Sequence, residues 1–449
     1  MGRLFGTDGV RGIANSELTP ELAFRLGKAG AYVLGKEGQR PVVIIGKDTR
    51  VSGDMLEDAI SAGILAMGGN VIKIGVLPTP AVAYLVRYFH ADAGVVISAS
   101  HNPFEYNGIK FFNSDGFKLD DEIEDEIEDI ILRNTDVHTN ITGELLGRSL
   151  EANEDALSLY AEFLKGTVDV NLVGMKLVID CANGAAYQVA ERVFRELGAK
   201  VTVLFNEPNG HNINDKCGST HPEKLQAAVI REKADIGLAF DGDADRLIAV
   251  DEKGKILDGD QMIYICAKML EKAGKLKDHL VTATVMSNIG FHKAIESIGA
   301  KVETTQVGDR YVLESMLKTG CVIGGEQSGH IIFLNHTTTG DGILSALQLL
   351  QAIKQSGKKP SELSKEITIY PQILKNAKIK NEHKKNYMEH PEVKSEIEKM
   401  EKIMGGKGRV LIRPSGTEPL VRVMLEGENI EQITTLAEDL ATLITKFLS

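Results

Sequence analysis

The chain has few cysteines and no long apolar run. Its four cysteines are dispersed along 449 residues, with no CxxC pair. This argues against a disulfide-stabilised domain or a cysteine zinc site, and it favours a reducing compartment with buried thiols. No window approaches the roughly 18 apolar residues that a membrane span needs, and the N-terminal stretch lacks the apolar core of a signal peptide. We therefore expect no membrane association and a cytoplasmic location.

The chain also lacks an excess of basic residues. It has 51 Lys and Arg against 63 Asp and Glu, a formal net charge of −12. This balance argues against nucleic acid or an anionic membrane as the main partner, although a local basic pocket could still bind a small anion. With 43% hydrophobic and 25% charged residues, the chain has the composition of a folded protein, and its length predicts about three domains.

One pattern occurs three times: a β-branched run, a helical stretch, a Gly-containing turn and a second β run. The three copies begin at residues 41, 176 and 279, and two of the turns share the tetrapeptide GAKV. An internal repeat is therefore expected. Strands that are joined through helices predict parallel pairing in α/β layers.

Each copy continues into an apolar run that ends in a polar loop. The three segments are GVVISASHNP (94–103), IGLAFDGDADR (236–246) and CVIGGEQSGH (321–330). Because ligands gather at the carboxyl ends of parallel strands, we expect the three loops to face one shared cleft.

The first loop offers a candidate nucleophile. Ser100 follows a buried strand, so it could be an ordinary turn or cap residue, or an exposed carrier of a phosphoryl group. Lys110, in NGIKFF, could move protons if the cleft lowers its pKa. Arg11, in GTDGVRG, could reach a phosphate or could belong to an ordered terminus.

The second loop offers a candidate metal site. Asp241, Asp243 and Asp245 alternate with small residues, so three hard carboxylate ligands suited to Mg²⁺ could face one point. An Asx-turn cluster or a Ca²⁺ loop are the alternatives. An EF-hand is disfavoured, because Arg246 stands where the sharp turn requires Gly and both flanks read as strands.

The third loop and the C-terminal part offer candidate ligand contacts. Glu326, Ser328 and His330 could face sugar hydroxyls or form a plain polar turn. RPSGTEP (413–419) reads as a loop between two strands, either a phosphate cradle or a hairpin turn. From about residue 371 the repeat is lost, and the pattern predicts a polar connector (375–387), helices at 391–404 and 429–448, and a mobile lid.

Together, SASHNP, DGDADR, GEQSGH and RPSGTEP, in this order, resemble the motifs of the α-D-phosphohexomutase superfamily over essentially the whole chain. The resemblance implies three similar mixed α/β domains around a central cleft and a C-terminal α+β domain with a TATA-box-binding-protein-like fold. The boundaries we expect are 1–150 for a phosphoserine-bearing domain, 151–255 for a metal-binding domain, 256–370 for a sugar-binding domain and 371–449 for a phosphate-binding domain.

The resemblance also implies roles for individual residues. Ser100 would carry the phosphoryl group and complete the shell of one Mg²⁺ ion held by Asp241, Asp243 and Asp245. The other catalytic residues implied are Arg11, His101, Lys110 and Arg246, with Lys110 as the general acid/base. The substrate-binding residues implied are Glu326, Ser328, His330, Arg413, Ser415, Gly416, Thr417 and Arg422.

The implied reaction moves a phosphoryl group between the 1- and 6-oxygens of a small phosphosugar, through a sugar 1,6-bisphosphate. Glucosamine phosphate is the preferred substrate, in the supply of amino sugars and cell-wall precursors. Glucose or mannose phosphates are the alternative, followed by a Mg²⁺-dependent sugar phosphatase. A homodimer is expected from the resemblance alone.

Overall fold

The computed structural model describes residues 4–6, 8–35, 40–133, 135, 137, 141–152, 154–383, 387–405, 407–414 and 419–448. It divides into a larger unit, Met1–Met286 with Ile298–Glu366, and a smaller unit, Ser287–Ser297 with Ile367–Ser449. Across these described ranges, no helix is both long enough and apolar enough to cross a bilayer.

The first module of the larger unit is built on a six-stranded sheet of order β1-β5-β4-β2-β3-β6. Its elements are β1 (Val10–Ile13), α1 (Pro20–Leu34), β2 (Val42–Lys47), α2 (Ser52–Ala66), β3 (Asn70–Val76), α3 (Thr79–Tyr88), β4 (Ala93–Ile97), β5 (Tyr106–Asn113), α4 (Asp121–Leu132) and β6 (Ser149–Leu150).

The second module has a five-stranded sheet of order β11-β10-β9-β7-β8. Its elements are α5 (Ala156–Gly166), β7 (Lys176–Asp180), α6 (Val189–Glu196), β8 (Lys200–Leu204), α7 (Glu223–Glu232), β9 (Ile236–Phe240), β10 (Leu247–Asp251) and β11 (Ile256–Leu257).

The third module has a four-stranded sheet of order β13-β12-β14-β15. The elements of this stretch are α8 (Gly259–Lys272), β12 (Leu280–Thr284), α9 (Ile289–Ser297), β13 (Lys301–Thr305), α10 (Asp309–Thr319), β14 (Ile323–Gly325), β15 (Ile331–Phe333), α11 (Gly342–Ser356) and α12 (Pro360–Leu363). Of these, α9 belongs to the smaller unit.

The three sheets repeat one strand order, β3-β2-β4-β5, β8-β7-β9-β10 and β13-β12-β14-β15. In each sheet the first three strands are parallel and the fourth is antiparallel. The internal repeat and the mixed α/β fold are therefore confirmed. The antiparallel fourth strand departs from the purely parallel pairing that the strand–helix pattern alone indicates.

The turn between helix and second strand has a common cause in all three copies. Gly68, Gly198 and Gly299 have φ angles of +80°, +94° and +82°. A left-handed residue past a helix end is strained for any side chain with a Cβ, so glycine allows the chain to reverse into the next strand.

The smaller unit has a three-stranded antiparallel sheet of order β16-β18-β17. Its elements after α9 are β16 (Gln372–Lys378), α13 (Pro391–Met404), β17 (Gly408–Pro414), β18 (Leu420–Gly427) and α14 (Ile430–Leu448). The predicted polar connector at 375–387 is wrong in its first part, because residues 375–378 belong to β16. In this edge strand Lys378 is exposed and Lys375 pairs with Glu438 of α14, and the sequence pattern does not distinguish such a polar strand from a connector.

Candidate active site

The three polar loops that follow β4, β9 and β14 lie in contact within the larger unit. Ser100 Oγ of the first loop donates to Asp241 Oδ2 of the second at 2.6 Å. Arg246 of the second loop forms an antiparallel β-bridge with His330 of the third. The Leu247 amide donates to the Gly329 carbonyl at 3.0 Å. Equivalent strand ends therefore meet at one place, as the repeat predicts.

Ser100 is held in an uncommon conformation. It is buried, its φ is +52°, and its amide donates to Ser98 Oγ at 2.9 Å. Left-handed backbone at a non-glycine residue persists only where the surroundings fix it. Ser100 Oγ also lies 3.5 Å from Nδ1 of His101, so the hydroxyl faces both an acid and an imidazole.

The three aspartates form one buried carboxylate cluster. Asp241, Asp243 and Asp245 each offer an oxygen within 4.8 Å of the other two. Asp243 Oδ2 accepts from Thr79 Oγ1 at 2.7 Å and from Lys110 Nζ at 3.0 Å. Two donors from the first module, Thr79 and Lys110, therefore fix the position of the Asp243 carboxylate.

The second oxygens of two aspartates remain available. Asp243 Oδ1 and Asp245 Oδ1 are buried and accept no hydrogen bond from any part of the chain that the structure describes. Buried carboxylate oxygens are costly unless a partner satisfies them. A cluster of three carboxylates, two of which have a buried oxygen without a hydrogen bond, fits a divalent cation such as Mg²⁺.

The pKa values of Asp241 and Asp245 are shifted in opposite directions. Burial, and then the charges of Asp245 and Asp243, raises the pKa of Asp241 well above its usual value. Burial acts in the same direction on Asp245, but the charge of His330 and that of Lys110 outweigh it and lower the pKa of Asp245. Because like charges share this site, a cation is the natural means of holding all three as carboxylates.

Lys110 lies between two carboxylates. Its Nζ is 3.0 Å from both Asp243 Oδ2 and Asp8 Oδ2. Burial lowers the pKa of Lys110, but the charges of Asp243 and Asp8 outweigh burial and the net pKa is raised. The condition given for proton transfer by Lys110, a pKa lowered by the cleft, is therefore not met, and the raised pKa favours the protonated amine.

Two arginines and a histidine complete the polar wall. Arg246 Nη1 lies 3.4 Å from Nδ1 of His101. Burial, followed by the charges of Arg246 and Arg11, lowers the pKa of His101. Arg11 itself forms an ion pair with Asp8 and points Nη1 at the Ala99 carbonyl at 3.5 Å.

The third loop presents one acid, one hydroxyl and one imidazole. Glu326 Oε1 accepts from the Gly308 amide at 3.1 Å, and Ser328 Oγ is 3.5 Å from Glu326 Oε2. The Gly340 amide donates to Nε2 of His330 at 3.1 Å, so the proton of a neutral ring lies on Nδ1. That nitrogen faces Asp245 Oδ2 at 3.5 Å, which ties His330 to the aspartate cluster.

The C-terminal candidates belong to the smaller unit. Arg413 of β17 and Arg422 of β18 are paired directly across the antiparallel ladder. Ser415, Gly416 and Thr417 lie outside the described residues. Two of the five residues predicted to bind phosphate, Arg413 and Arg422, therefore lie side by side in the smaller unit.

Sequence reasoning missed several residues of the site. Asp8 and Lys118 contact each other at 2.6 Å, and Lys118 also contacts Asp309 at 2.5 Å. Thr79 contacts Asp243, and Arg50 contacts the loop of Ser100. Asp8 stands in GTDGVRG beside the candidate Arg11, and Arg50 stands in KDTR after the first strand of its repeat, so both lie in segments whose residue types could have indicated a site.

Models of four domains of one family match the chain in order. Their descriptions are phosphoglucomutase/phosphomannomutase alpha/beta/alpha domains I, II and III and C-terminal domain, matching residues 2–138, 158–254, 258–370 and 374–443. The chain belongs to the phosphoglucomutase/phosphomannomutase family, and it is an isomerase of the α-D-phosphohexomutase type.

Its full-length relatives indicate a particular branch of the family. The chain is 59% identical over 452 residues to the phosphoglucosamine mutase of Caldanaerobacter subterraneus subsp. tengcongensis, covering 100% of both. It is 56% identical over 444 residues to the phosphoglucosamine mutase of Clostridium novyi, covering 99% of both.

Solved structures show the same fold at lower identity. A phosphoglucomutase/phosphomannomutase family protein from Burkholderia thailandensis matches with a TM-score of 0.83 at 24% identity, covering 100% of this chain and 98% of the other. N-acetylphosphoglucosamine mutase of Aspergillus fumigatus, solved with GlcNAc-6P and magnesium, matches with a TM-score of 0.71 at 18% identity, covering 99% and 96%.

Proposed function

We propose that the protein interconverts glucosamine 6-phosphate and glucosamine 1-phosphate through a phosphoserine at Ser100 and a glucosamine 1,6-bisphosphate intermediate. The observation that carries this proposal is the meeting of Ser100 Oγ with Asp241 at 2.6 Å, inside a buried cluster of three aspartates and Lys110. The full-length relatives named phosphoglucosamine mutase, at 56–59% identity, support the amino-sugar substrate.

Each half-reaction exchanges one P–O bond for another. The bond from phosphorus to Ser100 Oγ breaks while a bond forms to the free 1- or 6-oxygen of the sugar. Lys110 gives a proton to Ser100 Oγ, and the neutral amine that results takes the proton of the sugar hydroxyl, so bonds and protons balance in each half-reaction. After the bisphosphate has reoriented, its other phosphoryl group returns to Ser100 by the reverse exchange.

The chain supplies the proton transfer and the charge compensation for this step. Lys110 is held protonated by Asp243 and Asp8, and we assign it as the group that protonates Ser100 Oγ. His101, whose pKa is lowered, and the cationic Arg11 and Arg246 border the same serine loop. Preorganised cations are effective at a phosphoryl group because its charge is spread over three oxygens.

One Mg²⁺ ion per site would be held by Asp241, Asp243, Asp245 and a phosphoryl oxygen on Ser100. When bound, it would neutralise charge on the transferring group. The magnesium complex of the Aspergillus fumigatus enzyme supports this assignment.

We assign recognition of the sugar to Glu326, Ser328 and His330. Recognition of the phosphate that is not being transferred is assigned to Arg413, Ser415, Gly416, Thr417 and Arg422. Arginine forks and closely spaced hydroxyl and amide donors are suited to a phosphate. The product would enter amino-sugar and cell-wall precursor synthesis in the cytoplasm, and the predicted homodimer remains part of this proposal.

The proposal is tested by comparing kcat/KM for the 6-phosphates of glucosamine, glucose and mannose. We expect glucosamine 6-phosphate to be preferred and the Ser100→Ala variant to lose isomerisation by at least about 1000-fold, since the covalent route is removed. Ser114→Ala, which removes an exposed serine of the same module, is the matched control and should retain full activity.

Preference for glucose or mannose phosphate would move the protein to the neighbouring phosphoglucomutase/phosphomannomutase activity. Net release of inorganic phosphate as the main product would instead identify a phosphatase. Normal isomerisation by Ser100→Ala would contradict the phosphoserine route altogether.

A further inference from the structure

Arg50, in the loop after β2, directs four of its five donors to the loop that carries Ser100. Its side chain is fully buried, and Nε donates to Asp48 Oδ2 at 2.9 Å. A guanidinium has five N–H donors in a rigid fork, and the remaining four here meet backbone carbonyls. The four acceptors are the carbonyls of Ser100 at 3.0 Å, Asn102 at 2.8 Å, Tyr106 at 3.0 Å and Pro103.

Two further side chains hold the same short stretch. Asn214 Nδ2, from the second module, donates to the Ser100 carbonyl at 2.9 Å and to the Asn102 carbonyl at 3.1 Å. On the other side of Ser100, Ser98 Oγ accepts from its amide at 2.9 Å and donates to Asp48 Oδ2 at 2.5 Å. The reactive residue is therefore fixed at both its amide and its carbonyl.

These contacts account for the left-handed backbone at Ser100. A φ of +52° is unfavourable for serine, and such a conformation survives only where several contacts impose it. Arg50 and Asn214 pull the Ser100 carbonyl to one side. Because the carbonyl and amide of a trans peptide point in opposite directions, the His101 amide is turned away from Arg50.

We propose that Arg50 is a positioning residue for phosphoryl transfer, which keeps Ser100 Oγ aimed at Asp241 by fixing the peptide planes of residues 100–106. This inference rests on the proposed phosphoserine function. Asp48 orients the guanidinium, and Asn214 extends the same hold from the second module. Within the described residues, Arg50 hydrogen-bonds neither to Ser100 Oγ nor to the three aspartates, so it acts through the backbone of the loop.

The direct test compares Arg50→Met, Arg50→Lys and Asn214→Ala with the wild type, per folded molecule. The readouts are kcat and KM for isomerisation, and the rate at which Ser100 of the dephosphorylated enzyme is phosphorylated by glucose 1,6-bisphosphate. Intact mass measures the latter. A displacement of about 1 Å at a reacting atom can cost about 100-fold in rate.

We therefore expect kcat to fall about 100-fold in Arg50→Met and about 10-fold in Arg50→Lys, which keeps the charge but loses the fork. KM should change by less than about 3-fold, because substrate contacts are untouched. The phosphorylation rate of Ser100 should fall in parallel with kcat. Arg231→Met, which removes an exposed arginine from α7, is the control and should leave both values unchanged.

A merely structural role would lower the thermal midpoint and leave kcat per folded molecule near the wild-type value, which would overturn the proposal. If Arg50→Met does not fold, Arg50→Lys and Asn214→Ala decide the question, and kcat within about 3-fold of the wild type in both would overturn it. A wild type that isomerises but is never phosphorylated at Ser100 would overturn the proposed function as well.

Discussion

At the scale of single residues, each of the three aspartates has a partner for at least one of its carboxylate oxygens. Asp241 accepts from Ser100, Asp243 accepts from Thr79 and Lys110, and Asp245 faces His330. Buried charges are tolerated only when they are paired and hydrogen-bonded. Gly242 and Ala244 stand between the aspartates, and their small size lets the three carboxylates approach one another.

Gly329 gives a residue-scale test of the loop that carries Glu326 and Ser328, to which we assign sugar recognition. Its φ is +93°, and an added Cβ would lie 1.9 Å from the Leu247 carbonyl oxygen of β10. We expect Gly329→Ala to displace Glu326 and Ser328, to raise KM for the sugar phosphate by about 10-fold or more, and to lower the free energy of unfolding by at least about 2 kcal/mol. Steady-state kinetics and denaturant unfolding measure the two effects.

Gly357 is the matched control for Gly329. It has a φ of +66° past the end of α11, but an added Cβ would meet nothing within 4 Å. Gly357→Ala should therefore cost only the backbone strain, about 1 kcal/mol, and leave KM unchanged. Equal effects of the two substitutions would show that the contact between the loop of Gly329 and β10 is unimportant.

The reactive residues of the site could be proposed from sequence, but their supports could not. SASHNP and DGDADR combine unusual residue types within a few positions, which makes a local pattern visible. Arg50 and Asn214 lie 50 and 114 residues from Ser100 and act by binding carbonyls, which any sequence offers. Only the folded backbone shows that those carbonyls converge.

At the scale of elements, one four-strand arrangement is used three times. Hydrophobic runs and glycine turns predicted the three parallel strands of each copy, because these features follow from local chain geometry. The antiparallel direction of β5, β10 and β15 could not be predicted from that pattern, since strand direction depends on how the chain returns after the polar loop. The Lys-rich strand β16 was missed because its register depends on β18.

Asp341 gives an element-scale test, because it caps α11 from a buried position. It accepts from the Leu344 amide at 2.9 Å and from Tyr160 Oη at 2.7 Å. Burial raises its pKa to about 6. The folded protein then binds this proton more tightly than the unfolded chain, so stability is lost as pH rises from about 4 to about 6.

Asp341→Asn removes the charge but can still cap the helix. We expect the variant to gain free energy of unfolding relative to the wild type as pH rises through this range, by up to about 3 kcal/mol, with a plateau above about pH 7. Asp155 caps α5 at an exposed position, and a hydrogen bond from Ser158 lowers its pKa. Asp155→Asn should show the opposite trend, and a pH-independent difference for Asp341→Asn would contradict the expectation.

At the scale of the larger unit, polar contacts join the three modules at the site. Thr79 of the first module contacts Asp243 of the second, and Tyr160 of the second contacts Asp341 beside the third. Lys118 of the first contacts Asp309 of the third. Hydrogen bonds and ion pairs to aspartate carboxylates therefore link the three modules around the shared site.

A substitution of Lys118 tests how much the contact between the first and third modules contributes to stability. Its side chain is 18% exposed, and it lies between Asp8 and Asp309. Lys118→Met leaves both carboxylates without this cation, so we expect a loss of about 3 kcal/mol in denaturant unfolding. Adding Asp309→Asn should recover part of the loss.

The exposed pair of Asp129 on α4 and Arg133 just past its end is the control for Lys118. Arg133→Met should cost less than about 1 kcal/mol, because water screens the pair. A loss from Lys118→Met no larger than that from Arg133→Met would mean that the contact between the first and third modules contributes nothing.

The most direct measurement of the central claim follows a labelled phosphoryl group. Protein freed of phosphate is incubated with glucose 1,6-bisphosphate that carries radioactive phosphate, and the label is then located by peptide mapping. We expect label on Ser100 and its later return to glucosamine phosphate, with little inorganic phosphate released. Label on another residue, or release of most of it as inorganic phosphate, would contradict the mutase mechanism.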